Sequence, residues 1–273
     1  MIEQLIAHPE RLKLGGERRE LTIFFSDLQG FTSISELLSP EDLTSLLNEY
    51  LSAMTDIIQE EGGTIDKFEG DAIIAFWNAP LEQADHAVRG VRAALRCQTQ
   101  LSAMRPAVKE RIGKELHMRI GMNSGPAIVG NMGSRTRFDY TMLGDAVNLA
   151  ARLEGVNKQF RTYTMVSAAT VERTAGAFAV RELGRVSVVG REEPVTVYEP
   201  LPKELYEPAR ERLSAFASAL AAFYDGDFPR AEAGFAAIAA QDPAAAAYVE
   251  KCRALQATPL AGAWNGVWLM TSK

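Results

Sequence analysis

The sequence predicts an α+β fold: a mixed, mainly antiparallel sheet with helices on one face, followed by a small α-helical extension. Three observations carry this expectation. Short runs of β-branched and aromatic residues pair off around glycine-containing turns, as at Thr64 to Phe68 and Ala72 to Trp77 on either side of Glu69-Gly70-Asp71. Amphipathic stretches of helical spacing lie between such runs. At Pro200-Leu201-Pro202 the pattern breaks, and the composition shifts to alanine.

Composition sets the outer limits. A chain of 273 residues, set against roughly 150 residues per domain, suits one large domain with an appendage. A net charge of −6 and an isoelectric point near 5.3 argue against a nucleic-acid binder held by a general basic surface. An anionic substrate would therefore need metals or specific lysines and arginines. Cys97 and Cys252 lie far apart in helical segments, which suits reduced thiols and a cytoplasmic setting. No apolar run reaches the roughly 18 residues of a membrane span. Met1 to Glu20 is too polar for a signal peptide, and Leu12 to Glu20 reads as a linker entering a strand, as in a fragment of an anchored protein.

Leu21 to Ser26 reads as a central strand running into Asp27-Leu28-Gln29-Gly30-Phe31-Thr32. The glycine lets the amides of Gly30, Phe31 and Thr32 turn together toward an anion, although Asp27 reads equally as a helix N-cap. Ser39-Pro40-Glu41-Asp42 opens a helix by its cap, its proline and its acids; Leu43, Leu46, Leu47, Tyr50, Leu51, Met54, Ile57 and Ile58 form its apolar stripe until Gly62-Gly63. Then comes the hairpin of Thr64 to Trp77. Asp71 at its tip is either a solvated turn residue or a carboxylate awaiting a cation.

A second helix is expected over residues 83–104, and a hairpin of His117 to Ser124 with Ala127 to Gly130 around Gly125-Pro126. His117 reads as structural or exposed. Phe138 to Leu143 suits a strand, and a helix follows from Asp145 to about Lys158. Asn148 and Arg152 are four apart and share one face of it; they form either an anion-stabilising pair or part of a solvated face. Further strands are expected at 162–167, 178–189 and 194–198, with a short helix at 168–173. Three helices follow at about 213–224, 229–240 and 243–255. The turn Asp225 to Ala231 is like that of a single tetratricopeptide-type hairpin, and the end containing Trp264 and Trp268 is aromatic enough to dock.

Taken together, Phe25-Ser26-Asp27-Leu28-Gln29-Gly30-Phe31-Thr32, Asp66-Lys67-Phe68-Glu69-Gly70-Asp71 and Tyr140-Thr141-Met142-Leu143-Gly144-Asp145-Ala146-Val147-Asn148-Leu149-Ala150-Ala151-Arg152 resemble the motifs of the class III nucleotidyl cyclase catalytic domain. The resemblance implies a linker over 1–19, a ferredoxin-like catalytic domain over 20–199, and the extension over 200–273. It further implies that Asp27, Asp71 and the Leu28 carbonyl hold two divalent ions, Mg²⁺ or Mn²⁺, for in-line phosphoryl transfer. The amides after Gly30 would cradle phosphates. Lys67 and Thr141 stand where relatives read the base, and a donor with an acceptor suits adenine. Asn148 would orient the ribose, and Arg152 would stabilise charge on the phosphate.

By the same resemblance, the chain is expected to be an adenylyl cyclase that converts ATP to 3′,5′-cyclic AMP and pyrophosphate as a homodimer with shared sites. An upstream membrane-anchored sensor is a further expected partner. Val189 departs from the pattern, because relatives often carry a triphosphate-binding lysine there; Arg191 is the candidate substitute. That departure motivates the alternative of a catalytically weak nucleotide-sensing module. Lys67 and Thr141 argue against the other alternative, a guanylyl cyclase.

Overall fold

The computed structural model describes residues 14–134, 136–188, 190, 193–258 and 262–270. In chain order its elements are β1 (Gly15–Leu28), α1 (Phe31–Ser35), α2 (Pro40–Glu60), β2 (Thr64–Glu69), β3 (Ala72–Trp77), α3 (His86–Ile112), β4 (Met118–Gly133), β5 (Phe138–Leu143) and α4 (Asp145–Phe160). Then follow β6 (Thr164–Ser167), α5 (Ala168–Arg173), β7 (Ala179–Ser187), β8 (Val195–Leu201), α6 (Lys203–Tyr224), α7 (Phe228–Ala236), α8 (Pro243–Ala257) and β9 (Val267–Leu269). The strands form one mixed sheet in the order β2-β3-β1-β4-β6-β8-β7-β9, and β5 pairs with β4 off this path.

Two strands are longer than the sequence suggests. Gly15 to Arg19, expected as linker, pairs with Asn131 to Ala127 of β4 and so belongs to β1. The polar run Gly-Gly-Glu-Arg-Arg carries no apolar alternation, and only the long partner strand makes it β. The expected hairpin around Gly125-Pro126 is instead the middle of β4. Pro126 falls between the segment that pairs with β6 (Ile120 to Met122) and the one that pairs with β5 (Ile128 to Gly133), where a missing N–H costs no ladder bond to either.

The central strands are apolar on both sides of the pleat, so the helices do not keep to one face. Phe24, Ile73, Ala75 and Trp77 meet α2 and α3 through Leu46, Tyr50, Met54, Val91 and Leu101. Leu21, Ile23, Ile74 and Phe76 meet β5 and α4 through Met142, Ala146, Val147 and Ala150. Ser39 caps α2 as expected, accepting from the Asp42 amide at 3.1 Å.

The extension shares a core with the rest of the chain. Phe160 of α4 and Leu183, Val186 and Val197 of the sheet pack with Phe216, Phe223, Phe235, Tyr248 and Trp268. Tyr248 donates to the Leu183 carbonyl at 2.7 Å and stacks on Phe235. The aromatic tail does dock: β9 adds a parallel strand to β7, Val186 opposite Trp268. Cys97 and Cys252 are free and buried, and burial pushes both thiols up to about 12. His117 stacks on Tyr163.

Candidate active site

β1 and β3 run antiparallel, with Ser26 opposite Ile73, so Asp27 at the end of β1 and Asp71 just before β3 arrive at the same end of the sheet. The Leu28 amide donates to Asp71 Oδ2 at 2.9 Å and ties the two segments together. Burial pushes the Asp71 carboxyl up to about 6; the Leu28 amide opposes that shift and the negative charge of Asp27 adds to it. This carboxylate is costly to ionise without a cation. Two carboxylates with a neighbouring carbonyl are a hard-oxygen donor set that fits Mg²⁺ or Mn²⁺. Among the described residues no cluster of three or more His, Cys, Asp or Glu is placed to hold a metal. An ion here would therefore complete its shell with backbone, water and phosphate oxygens.

Sequence reasoning missed what stands behind Asp27. Arg119 on β4, opposite Asp27 in register, donates from Nη2 to Asp27 Oδ2 at 3.2 Å and from Nε to Glu154 Oε1 at 2.7 Å. Its side chain is only 7% exposed. A lone arginine between Met118 and Ile120 in a buried strand was the available signal, since such a charge requires partners.

Beyond Leu28 the chain turns at Gly30, whose φ of 71° lies in the left-handed region. Helix α1 starts at Phe31, and the Gly30 carbonyl accepts from Ser33 and Ile34. The amides of Phe31 and Thr32 thus occupy the first turn of α1, where no intrahelical acceptor precedes them.

The second cluster joins residues distant in sequence. Thr141 of β5 donates through Oγ1 to Asp66 Oδ2 at 2.7 Å, across 75 positions. Lys67 Nζ lies 3.6 Å from Asp66 Oδ1. Sequence reasoning assigned no role to Asp66; the available signal was a carboxylate beside Ile65 in a strand-forming run, and the structure leaves its side chain 3% exposed. Burial raises its pKa, and the Thr141 hydroxyl and Lys67 ammonium oppose that rise.

Helix α4 carries the third group. It seats on β4 at Gly121, where an added Cβ would stand 2.0 Å from the Glu154 amide nitrogen. Asn157 fastens the contact, donating to the Ile120 carbonyl at 2.9 Å. Asn148 is exposed on this helix. Arg152, one turn on, is half-buried, and its Nη1 is shielded from water without a hydrogen-bond partner among the described residues. A guanidinium N–H left so is costly unless an acceptor arrives, which fits an anion. The turn after β7 approaches the same group, an added Cβ on Gly190 falling 3.2 Å from Arg152 Nη2. Val189 and Arg191 lie outside the described residues.

Among the described residues no hydrogen bond or ion pair joins the acid pair to Lys67, Thr141, Asn148 or Arg152. Two clefts of about 540 Å³, one between β7 and α6 and one beside Asn123 and Asp145, include none of these residues.

The chain belongs to the family of adenylate and guanylate cyclase catalytic domains, whose family model matches residues 16–199. It is similar to Adenylate cyclase 1 of Rhizobium meliloti (strain 1021), with 37% identity over 67% of the chain and 27% of that protein. It is also similar to an adenylate cyclase of Anabaena cylindrica, with 33% identity over 70% of the chain and 38% of that protein. The chain thus spans well under half the length of either relative. Among solved structures it resembles the adenylyl cyclase CyaB from P. aeruginosa, at 38% identity and a TM-score of 0.65, over 70% of this chain and 97% of that one. It resembles the guanylyl cyclase Cya2 at 37% identity and a TM-score of 0.62, over 68% of this chain and 94% of that one.

Proposed function

We propose that the chain closes ATP to 3′,5′-cyclic AMP with release of pyrophosphate, at sites shared between two copies in a homodimer. Solved structures of an adenylyl and a guanylyl cyclase are almost equally similar, so overall likeness does not choose the base. The observation that carries the choice of ATP is the convergence of Lys67 and Thr141 on Asp66. An ammonium donates to adenine N1, and a hydroxyl oxygen accepts from the 6-amino group.

Asp27 and Asp71, with the Leu28 carbonyl, hold the divalent ions. When bound, two such ions supply activation of the 3′-hydroxyl and neutralisation of the triphosphate. The amides following Gly30 orient phosphate oxygens. Asn148 positions the ribose, and Arg152 meets the charge that develops on the α-phosphate as pyrophosphate departs; loss of such a donor typically costs about 10² to 10³ in rate. The acid pair comes from one copy, and Lys67, Thr141, Asn148 and Arg152 come from the other. Outside the matched segment the longer relatives leave room for a sensor, which supports a catalytic module under the control of another domain, anchored at a membrane or not.

The test is a purified-protein assay with ATP or GTP and with Mg²⁺ or Mn²⁺, over a range of protein concentration. Cyclic AMP is expected, with a specific rate that rises as the dimer forms. Equal rates on the two nucleotides would remove the base assignment, and nucleotide binding without product would favour the sensing module.

A further inference from the structure

We propose that Asp66 is a specificity-determining positioning residue that fixes the direction of the Thr141 hydroxyl hydrogen bond. The inference rests on the reading of Lys67 and Thr141 as the base-reading pair, and it goes beyond that reading by explaining why a threonine, which can donate or accept, would discriminate at all.

The local geometry is unusual for a strand. Ile65 pairs with Ala75 and Lys67 with Ile74, so Asp66 is the extra residue of a β-bulge. Neighbours in a regular strand point to opposite faces, whereas a bulge re-aims a side chain. Here it leaves the carboxylate of Asp66 and the ammonium of Lys67 only 3.6 Å apart and directs Asp66 to Thr141 on another strand. The Asp66 side chain is 3% exposed. Burying a carboxylate in a hairpin strand is a poor way to gain stability, since an apolar residue of similar volume serves as well or better.

The hydroxyl of Thr141 has one proton, and that proton is directed to Asp66 Oδ2 at 2.7 Å. An ionised carboxylate only accepts, so it holds the hydroxyl as the donor. Toward a ligand, Thr141 can then present lone pairs alone. Lys67 presents donors alone; at 3.6 Å its contact with Asp66 Oδ1 is too long for a hydrogen bond, and its protons remain available. The pair therefore offers one acceptor and one donor. Adenine matches with its 6-amino donor and N1 acceptor, and guanine, with a 6-oxo acceptor and an N1–H donor, mismatches at both points. Without Asp66 the hydroxyl rotates, donates to a 6-oxo group, and half of the discrimination is lost. The other charge near Asp66, that of Asp139, opposes its ionisation, so Lys67 and Thr141 are the groups that hold it anionic.

The experiment compares kcat/KM for ATP and GTP in the full chain and in Asp66→Asn, with Asp66→Ala as a second variant and thermal unfolding as the check on folding. The ATP-to-GTP ratio is expected to fall at least tenfold in both variants, through a loss on ATP with GTP held or improved. In a Thr141→Ala background, Asp66→Asn is expected to leave the ratio unchanged, because the hydroxyl it orients is gone. An equal loss on both nucleotides, an unchanged ratio, or a further change in the Thr141→Ala background would overturn the proposal. Failure of both variants to fold would assign Asp66 to the fold and overturn it as well. An unmodified protein that uses ATP and GTP alike would instead overturn the underlying base-reading assignment, before any variant is compared.

Discussion

Asp27 and Arg119 face each other across β1 and β4, with Arg119 Nη2 at 3.2 Å from Asp27 Oδ2. The same guanidinium holds Glu154 on α4 at 2.7 Å. One buried cation thus joins a proposed metal ligand to the helix that carries Asn148 and Arg152. Arg119→Ala leaves Glu154, 16% exposed, without its partner. Stripping one member from a buried ion pair typically costs about 3 to 5 kcal/mol, and the exposure of Asp27 places this case at the low end. Urea unfolding is expected to show that loss. Arg119→Lys should recover only part of it, because an ammonium lacks the planar fork that reaches two carboxylates.

As a proposed metal ligand, Asp71 predicts that metal binding depends on pH. Its carboxyl is pushed up to about 6, so the metal-free folded state holds this proton more tightly than the unfolded chain does. Divalent metal needs the ionised form. Below pH 6, affinity for Mn²⁺ should fall about tenfold per pH unit, with a plateau above 7, in calorimetric titrations. The sign for stability is opposite: without metal the fold loses stability as pH rises from the ordinary carboxylate range through about 6. Asp71→Asn should remove the pH dependence of affinity and lessen that of stability, to which the burial of Asp66, Glu154 and Glu199 also contributes, and a flat affinity profile in the unmodified chain would contradict this account.

The proposed sharing of sites between two copies predicts complementation. Asp27→Ala and Arg152→Ala chains should each be nearly inactive, while their mixture should regain activity through the one site of the mixed dimer that keeps both intact halves. Verified subunit exchange without recovery would show that each chain supplies a whole site.

Tyr248 tests whether the extension belongs to the domain. Its hydroxyl donates to the Leu183 carbonyl at 2.7 Å, and its ring packs between Phe235 and Trp268. Tyr248→Phe should cost about 1 kcal/mol by losing one buried hydrogen bond. Tyr248→Ala should cost about 3 to 5 kcal/mol through the cavity it leaves. A single melting transition is expected in both; separate transitions for the extension and the sheet would show independent units.

Much of this protein is local enough to read from its residues. The cap at Ser39, the turn at Gly70 and the spacing of Asn148 and Arg152 are set by backbone sterics and helical periodicity within a few positions. Asp27, Asp71, Lys67 and Thr141 stood out because their motifs are contiguous. Long-range pairing was not legible. Gly15 to Arg19 became strand only because β4 is long enough to receive it, and Gly125-Pro126 stayed in a strand because Leu21 and Glu20 of β1 lie opposite it.

The partners of Arg119 and Asp66 were decided by tertiary structure alone. Each is a buried charge in a strand, with a partner as far as 92 or 75 positions away. Local sequence determines which backbone conformations and faces are favourable. Burial of a charge becomes tolerable only when folding brings a second charge or a hydroxyl within hydrogen-bonding distance, and that condition is a property of the assembled sheet.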